Sequence, residues 1–280
     1  MVALYSYHSG GIAHELGQKR LSLGSLEEPM WCSVHVPSEA EKGQAIQREL
    51  QDSECPGDAY FAVCDVRKET DIKRLISVTV ERYGCLDRLV NNAGTFYWHT
   101  SRAVSAQDFH NMMELNALSV LLASKYALPY LRKTKGNIIN LASLYGVIGM
   151  KNTVTYSSSK GAVIAMTKTL AIDESKYGVR VNCISPSNIW TPSWEGHANQ
   201  SPNPEAAKKE GRNFQLMGRF GTPEEVALAA IYLAADGTFC TGFNLVVSGG
   251  AEVGFGVKNQ VDQEPSPRAG VTSQDSSSKP

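Results

Sequence analysis

The sequence predicts one α/β domain built on a doubly wound parallel sheet. Two observations lead to this prediction: short apolar runs rich in β-branched residues alternate with helical periods, and these runs are apolar almost throughout. Strands that are apolar on both faces are typical of a sheet covered by helices on both sides. The chain has 280 residues, of which 42% are hydrophobic, and this is enough for a single large core.

Five strands and four helices follow from these patterns. The predicted strands are residues 59–66 (AYFAVCDV), 86–94 (LDRLVNNAG), 136–143 (GNIINLAS), 179–186 (VRVNCISP) and 244–250 (NLVVSGG). The predicted helices are residues 69–84, 105–133, 155–178 and 222–236. Gly84, Gly136 and Gly178 each follow a helical stretch and fit C-terminal caps. Thr222, followed by a proline and two acids, fits a helix start.

The composition of the chain changes along its length and predicts three segments. Residues 1–36 fit the expected first strand and helix badly, and residues 37–257 form the predicted domain. Residues 258–280 contain almost no large apolar side chain and are expected to be disordered. Within the domain, residues 193–214 have the pattern of a long irregular loop, which in a compact domain is often a substrate lid.

Charge and cysteine usage argue against several classes of function. The 27 basic and 28 acidic residues are balanced and scattered, so we expect no nucleic-acid partner. The longest apolar run, about ten residues, is too short to span a bilayer, and the N-terminus lacks a signal-peptide pattern. The six cysteines have no CxxC spacing and predict neither a metal site nor a disulfide framework. We therefore expect a cytoplasmic protein with reduced thiols.

Three side chains suggest acid–base chemistry. Tyr156 and Lys160 lie four residues apart on a helical pattern, so both project from one face. Ser143 ends a predicted strand, at the sheet edge where ligands bind. An ammonium beside a phenol lowers the pKa of the phenol, which allows a tyrosine to exchange protons near neutral pH. On helix geometry alone, however, most Tyr-x-x-x-Lys pairs are ordinary surface residues, and this alternative stays open.

Further motifs favour acid–base residues over ordinary surface residues. NNAG (residues 91–94) follows one strand, Ser143 precedes Tyr156 in the pattern S…YSSSK, and SPSNIWT (residues 185–191) follows another strand. With its motifs in this order, the chain from about residue 65 to residue 250 resembles the short-chain dehydrogenase/reductase family, which has a Rossmann-like fold. The resemblance implies NAD-linked oxidation of a secondary alcohol, or reduction of the ketone, on a steroid or a sugar.

The resemblance also implies roles for individual residues. Tyr156 would be the acid and base, Lys160 would lower its pKa and bind the nicotinamide ribose, and Ser143 would orient the substrate oxygen. Asn116 would hold a water in a proton relay behind Lys160. The alternative for Asn116 is a buried helical asparagine bonded to backbone. The substrate-contacting set is Ser143, Tyr145, Met150 and Trp194, although Trp194 is equally explained as a packing residue.

The cofactor implied by the resemblance is NAD. Its expected contacts are Gly11, Asp65, Val66, Asn91, Ala93, Gly94, Tyr156, Lys160, Ile189 and Thr191. Asp65 and Val66 would meet the adenine, and Ile189 and Thr191 would fix the nicotinamide carboxamide. The family resemblance further implies a homotetramer, which fits the apolar residues on more than one face of a predicted helix, namely Leu118, Val120, Leu121 and Leu122.

Two stretches depart from the family pattern. The family's Thr-Gly-x-x-x-Gly-x-Gly would overlay VALYSYHSGGIA, with a strand ending at Leu4, Gly11 as the middle glycine, and Tyr7 and Ala13 in place of the other two. The overlay is poor, and residues 1–36 are alternatively unrelated to the family's first βαβ unit. Because a pyrophosphate needs close backbone approach, we expect this chain to bind NAD weakly or not at all.

The second departure is Ser187, which replaces the family's glycine after Pro186. A serine there is tolerable at an ordinary backbone angle and costly at a positive φ. Two readings of function stay open: a working dehydrogenase, or a non-catalytic protein of this fold that acts as a scaffold or partner subunit. The choice between NAD and NADP also stays open, because the residue that normally decides it lies in the aberrant N-terminal segment.

Overall fold

The computed structural model of the protein describes residues 2–7, 30–35, 40–52, 59–254 and 256–257. Within them, the strands are β1 Val2–Tyr7, β2 Met30–His35, β3 Ala59–Val63, β4 Arg88–Asn91, β5 Asn137–Leu141, β6 Arg180–Pro186 and β7 Asn244–Val247. They form one parallel sheet in the order β3-β2-β1-β4-β5-β6-β7. The chain changes direction across the sheet between β1 and β4, and such a switch point is where α/β sheets bind ligands.

Helices connect the strands. They are α1 Ala40–Asp52, α2 Glu69–Tyr83, α3 Ala106–Met113, α4 Ser119–Thr134, α5 Tyr145–Ile148, α6 Val154–Glu174, α7 Pro192–Asn199, α8 Pro204–Asn213 and α9 Pro223–Ala234. A single π-helical turn, Glu114–Leu118, joins α3 to α4. No helix in the described ranges combines the length and the apolar character that crossing a membrane requires.

The core lies on both faces of the sheet. Leu89 and Ile138 pack with buried residues of α2 and α4 on one face. Their neighbours in sequence, Val90 and Ile139, pack with α9 on the opposite face. Successive strand residues point to opposite faces, so both must be apolar where helices cover both sides. The predicted fold class, a doubly wound parallel α/β sheet, is therefore confirmed.

The first strand is longer than the family overlay predicted. β1 pairs with β2 from Val2 to Tyr7 and with β4 at Ala3 and Leu4. The predicted strand end at Leu4 is therefore wrong, and Tyr7 lies in the strand instead of the turn. Gly11, the rest of the expected phosphate loop and residues 258–280 lie outside the described residues.

One of the three glycines that were predicted to be helix C-terminal caps is needed for another structural reason. Gly84 and Gly178 end helical segments with φ of 76° and 73°, as expected. After α4, however, the left-handed residue is Lys135 (φ 51°), so the prediction for Gly136 is wrong. A Cβ built on Gly136 would lie 2.2 Å from the carbonyl oxygen of Asp87. Glycine is required there for close approach between segments.

Residues 193–214 are mostly helical, so the predicted irregular loop is wrong. They contain most of α7 and all of α8. The Thr191 side chain accepts a hydrogen bond from the Trp194 N–H at the start of α7, and Asn203 accepts one from the Ala206 N–H at the start of α8. Each helix also begins with a proline in its first turn, where the missing N–H costs nothing.

Candidate active site

The predicted serine, tyrosine and lysine meet at one edge of the sheet. Ser143 lies just beyond the carboxyl end of β5, and Tyr156 and Lys160 lie one turn apart on α6. A Cβ built on Gly146 would lie 2.7 Å from the carbonyl carbon of Lys160, so only glycine allows α5 to pack this closely on α6. This contact fixes the segment after Ser143 against the helix that carries the other two residues.

Lys160 is a buried cation with few partners. The residue is 5% exposed, and its Nζ donates a hydrogen bond to the Leu141 carbonyl oxygen at 2.8 Å. An ammonium has three N–H donors, and the described residues supply this single acceptor. Burial lowers the pKa of Lys160 to about 8. Such a group is suited to bind a hydroxyl-bearing ligand that enters beside it.

Tyr156 behaves differently from expectation. Burial raises the pKa of Tyr156, and a hydrogen bond from the Ser143 hydroxyl opposes this rise by stabilising the phenolate. The Lys160 ammonium lies 5.8 Å from the centre of the Tyr156 ring and donates to the Leu141 carbonyl oxygen. At neutral pH the phenol is therefore protonated.

Asn116 lies in the π-helical turn between α3 and α4. Its Oδ1 accepts a hydrogen bond from the Thr95 N–H at 2.8 Å, and its Nδ2 donates to the Thr95 carbonyl at 2.9 Å and to the Ser159 Oγ at 3.1 Å. Both amide N–H groups are thus used, as in the alternative of a buried asparagine bonded to backbone. The side chain joins the segment after NNAG to α6, and π-helical turns are frequent at functional sites.

The NNAG segment contributes mainly through its backbone. The Asn91 Nδ2 donates to the Asn140 Oδ1 at 2.8 Å and to the Ser124 Oγ at 3.3 Å, so this side chain lies in the interior instead of facing a ligand. Ala93 is buried. A Cβ on Gly94 would lie 3.2 Å from the Asn116 Oδ1 and 3.4 Å from the Lys160 Nζ, so Gly94 allows the backbone to lie close to both groups.

Asp65 and Val66 follow β3, at the expected adenine end. Arg67 binds the Asp65 carboxylate through two hydrogen bonds of 2.9 Å, and this pairing lowers the pKa of Asp65. Val66 is partly buried and packs against the core. The Asp65 carboxylate is therefore charged and oriented by Arg67, and a ligand that bonds to it would share it with the guanidinium.

The residues present fit the ribose and nicotinamide end of a dinucleotide. Lys160 has donors besides the one that it gives to Leu141, its Nζ lies close to Gly94, and Ile189 and Thr191 line the cavity beside Tyr156. Ser187 lines it as well, and its backbone is ordinary, since the described non-glycine residues with positive φ are Lys135 and Asn152. No group of three or more potential metal ligands occurs within the described ranges.

A cavity of about 410 Å³ opens beside the three residues. Ser143 and Tyr156 line it, together with the three other predicted substrate residues, Tyr145, Met150 and Trp194. Burial raises the pKa of Tyr145 to about 12, so this phenol stays neutral. Trp194 also packs on Phe220, with ring centres 4.5 Å apart, so it both packs and lines the cavity.

The sequence predictions missed several residues of the cavity wall. These are Phe96, Trp98, Asn188, His197 and Glu210. Phe96 and Trp98 follow NNAG directly, and this position after a strand end was the available signal. His197 lies three residues after Trp194, so a helix at 192–199 would have placed both on one face.

Comparisons with known proteins agree with this geometry. A family model described as Enoyl-(Acyl carrier protein) reductase, of the short-chain dehydrogenase type, matches residues 33–252. L-fucose dehydrogenase from Bos taurus is 52% identical over 78% of this chain and 78% of its own length. L-fucose dehydrogenase from Mus musculus is 49% identical over 77% of this chain and 77% of its own length. Among solved structures, aldohexose dehydrogenase from Thermoplasma acidophilum superposes with a TM-score of 0.76 and 26% identity, covering 91% of this chain and 95% of that one.

The family match spans most of the chain, and the sequence identity to these relatives far exceeds what a shared fold alone would give. Enzymes of this family are oxidoreductases that use a nicotinamide cofactor. By its sheet order, its motifs and these relatives, the chain belongs to the short-chain dehydrogenase/reductase family.

Proposed function

We propose that this protein oxidises a hydroxyl group of a sugar, with NAD as the hydride acceptor. The observation that supports the proposal most is that Ser143 and Tyr156 line one cavity, while Lys160 lies buried one helical turn after Tyr156. A non-catalytic scaffold has no need to keep a poorly partnered ammonium buried, since burying a charge is costly. The sugar comes from the relatives, which are L-fucose dehydrogenases.

In the proposed reaction, the reacting carbon loses a hydride and its hydroxyl loses a proton. The Ser143 hydroxyl holds the substrate oxygen, and the Tyr156 oxygen takes the proton. Lys160 holds the ribose hydroxyls of the cofactor and stabilises the charge that develops near Tyr156. The cofactor supplies the hydride acceptor. Because burial raises the pKa of Tyr156, we expect the oxidation rate to rise with pH.

A 17β-hydroxysteroid is the alternative substrate, and the aromatic side chains of the cavity wall favour it. Phe96, Trp98 and Trp194 offer apolar surface that a steroid would bury. The sugar is preferred because the wall also carries polar groups, such as Asn188 and His197, that a steroid would leave without partners.

The test uses the full chain with L-fucose, an aldohexose and a 17β-hydroxysteroid, each with NAD and with NADP. Absorbance of the reduced cofactor measures turnover. Because the sequence predicts weak NAD binding, the assay uses millimolar cofactor; under these conditions we expect turnover of L-fucose with NAD, and a loss of about 10²–10⁴-fold in Tyr156→Phe. Tyr177→Phe is the matched control, since Tyr177 is exposed and does not line the cavity. Absence of turnover with every pair, together with no calorimetric binding of either cofactor, would support the scaffold reading.

We also propose that the protein assembles as a tetramer in a reducing, cytoplasmic compartment. Leu118 and Leu121 are each more than 40% exposed beside a surface groove that Met166 also lines. Exposed apolar residues in one groove favour an interface between subunits. Cys85, Cys183 and Cys240 are free thiols, which fits a reducing environment.

A further inference from the structure

His197 is a cavity residue to which the proposed chemistry assigns no role. It lies on α7, one turn after Ser193, and lines the same cavity as Ser143 and Tyr156. Its ring packs against Phe96, with centres 5.5 Å apart, and against Trp98, with centres 6.4 Å apart. The imidazole is thus held between its own helix and an aromatic wall.

The surroundings of the ring define its hydrogen-bonding pattern. The Nδ1 of His197 lies 3.2 Å from the carbonyl oxygen of Ser193. A carbonyl oxygen can only accept, so Nδ1 carries the hydrogen. In the neutral imidazole, Nε2 is then an acceptor, and the described residues provide no donor to it. The two ring nitrogens point in divergent directions, so Nε2 is not directed at the Ser193 carbonyl that Nδ1 contacts.

The aromatic wall links this acceptor to the reacting group. The Phe96 ring lies 4.8 Å from the Tyr156 ring and 5.5 Å from the His197 ring, measured between centres. Phe96 is thus in contact with both rings, and a ligand ring that packs on Phe96 would lie beside both side chains. A sugar ring has an apolar C–H face for such a contact and carries several hydroxyls around its edge.

We propose that His197 Nε2 accepts a hydrogen bond from a second, non-reacting hydroxyl of the sugar. The reacting hydroxyl then lies at Ser143 and Tyr156, and Phe96 supports the ring between them. This assignment rests on the proposed function and makes His197 a specificity-determining residue. A site built to hydrogen-bond a hydroxyl discriminates strongly against an analogue that lacks it.

The test combines a variant with modified substrates. His197→Phe keeps an aromatic ring beside Phe96 and Trp98 but removes Nε2. Wild type and variant are compared on L-fucose and on a set of analogues that each lack one non-reacting hydroxyl. In the wild type, we expect one analogue to lose at least about tenfold in kcat/KM. In His197→Phe, we expect the kcat/KM for L-fucose to fall by about the same factor, mainly through a higher KM. The kcat/KM for that analogue should equal the wild-type value.

A second variant separates hydrogen bonding from packing. His197→Gln restores an acceptor and should recover part of the preference for L-fucose over the analogue. Asn199→Phe, on the same helix but outside the cavity, is the control and should behave as wild type. If His197→Phe shows the same ratios of kcat/KM between L-fucose and each analogue as the wild type, the assignment is wrong while the proposed function stands. If the wild type oxidises only the steroid, both are overturned.

Discussion

Replacing Lys160 by methionine should stabilise the ligand-free protein while abolishing turnover. Burial lowers the pKa of this ammonium from its ordinary value near 10.5 to about 8. Each pKa unit corresponds to about 1.4 kcal/mol, so holding the charge in the folded state costs about 3 kcal/mol at pH 7. Methionine also leaves the Leu141 carbonyl without this donor, which costs about 1 kcal/mol. The net expectation is a gain of about 2 kcal/mol in the free energy of unfolding.

The sign of the pH dependence makes this prediction specific. Between pH 8 and the ordinary lysine pKa, the unfolded wild type binds a proton at Lys160 that the folded wild type does not. The stability of the wild type therefore rises with pH across this window, relative to Lys160→Met. Below pH 8, the folded wild type carries the full free-energy cost of burying the charged Lys160. The advantage of the variant should shrink by about 3 kcal/mol towards the upper end of the window.

Urea unfolding of both proteins, without ligand, at pH 7 and pH 10 measures these quantities. Lys168→Met is the matched control, because Lys168 lies on the same helix and is exposed. We expect that control to match the wild type within about 0.5 kcal/mol. The reasoning is refuted if Lys160→Met is less stable than the wild type at pH 7, or if the difference between them does not change with pH.

Three further changes test other parts of the structure. Gly94→Ala places a methyl group 3.2 Å from the buried Asn116 Oδ1 and 3.4 Å from the buried ammonium, and should weaken NAD binding measured by calorimetry. Gly136→Ala would put a Cβ 2.2 Å from the Asp87 carbonyl oxygen and should cost at least about 2 kcal/mol in urea unfolding, whereas Gly196→Ala, with open space around it, should be neutral or stabilising. Leu121→Glu should convert the proposed tetramer to smaller species in sedimentation, and a wild type that is already monomeric at micromolar concentration would contradict that assembly.

Patterns that are local in sequence predicted most of the framework. Apolar runs located the strands from residue 59 onwards, and the cap at Thr222 forms as expected, with Thr222 and Glu225 bonding each other's backbone N–H. Tyr156 and Lys160 share a helix face because a spacing of four residues dictates it. These features depend on interactions within a few residues, so the sequence alone carries the information.

Features that depend on distant residues were not predictable in the same way. The interior position of Asn91 comes from Asn140, which lies on the neighbouring strand 49 residues later. The π-helical turn around Asn116 accompanies its bonds to Thr95 and to Ser159. Nothing in the local pattern of residues 114–118 indicates either contact.

The helices α7 and α8 were missed for a different reason. Their start signals were present, since Thr191 and Asn203 are cap residues and each is followed by a proline. α7 has weak helical periodicity, and α8, although amphipathic, carries no large apolar side chain to mark its buried face. They cover a cavity instead of a core, so only part of each helix is buried.

In the proposed reaction, a hydride passes directly from a sugar carbon to the cofactor. The most direct measurement uses L-fucose deuterated on all its carbons, with NAD and the wild-type chain, and mass analysis of the reduced cofactor. The proposed chemistry predicts one deuterium per reduced cofactor, formed about 10²–10⁴-fold more slowly by Tyr156→Phe. Reduced cofactor without deuterium, or equal formation by Tyr156→Phe, would contradict it.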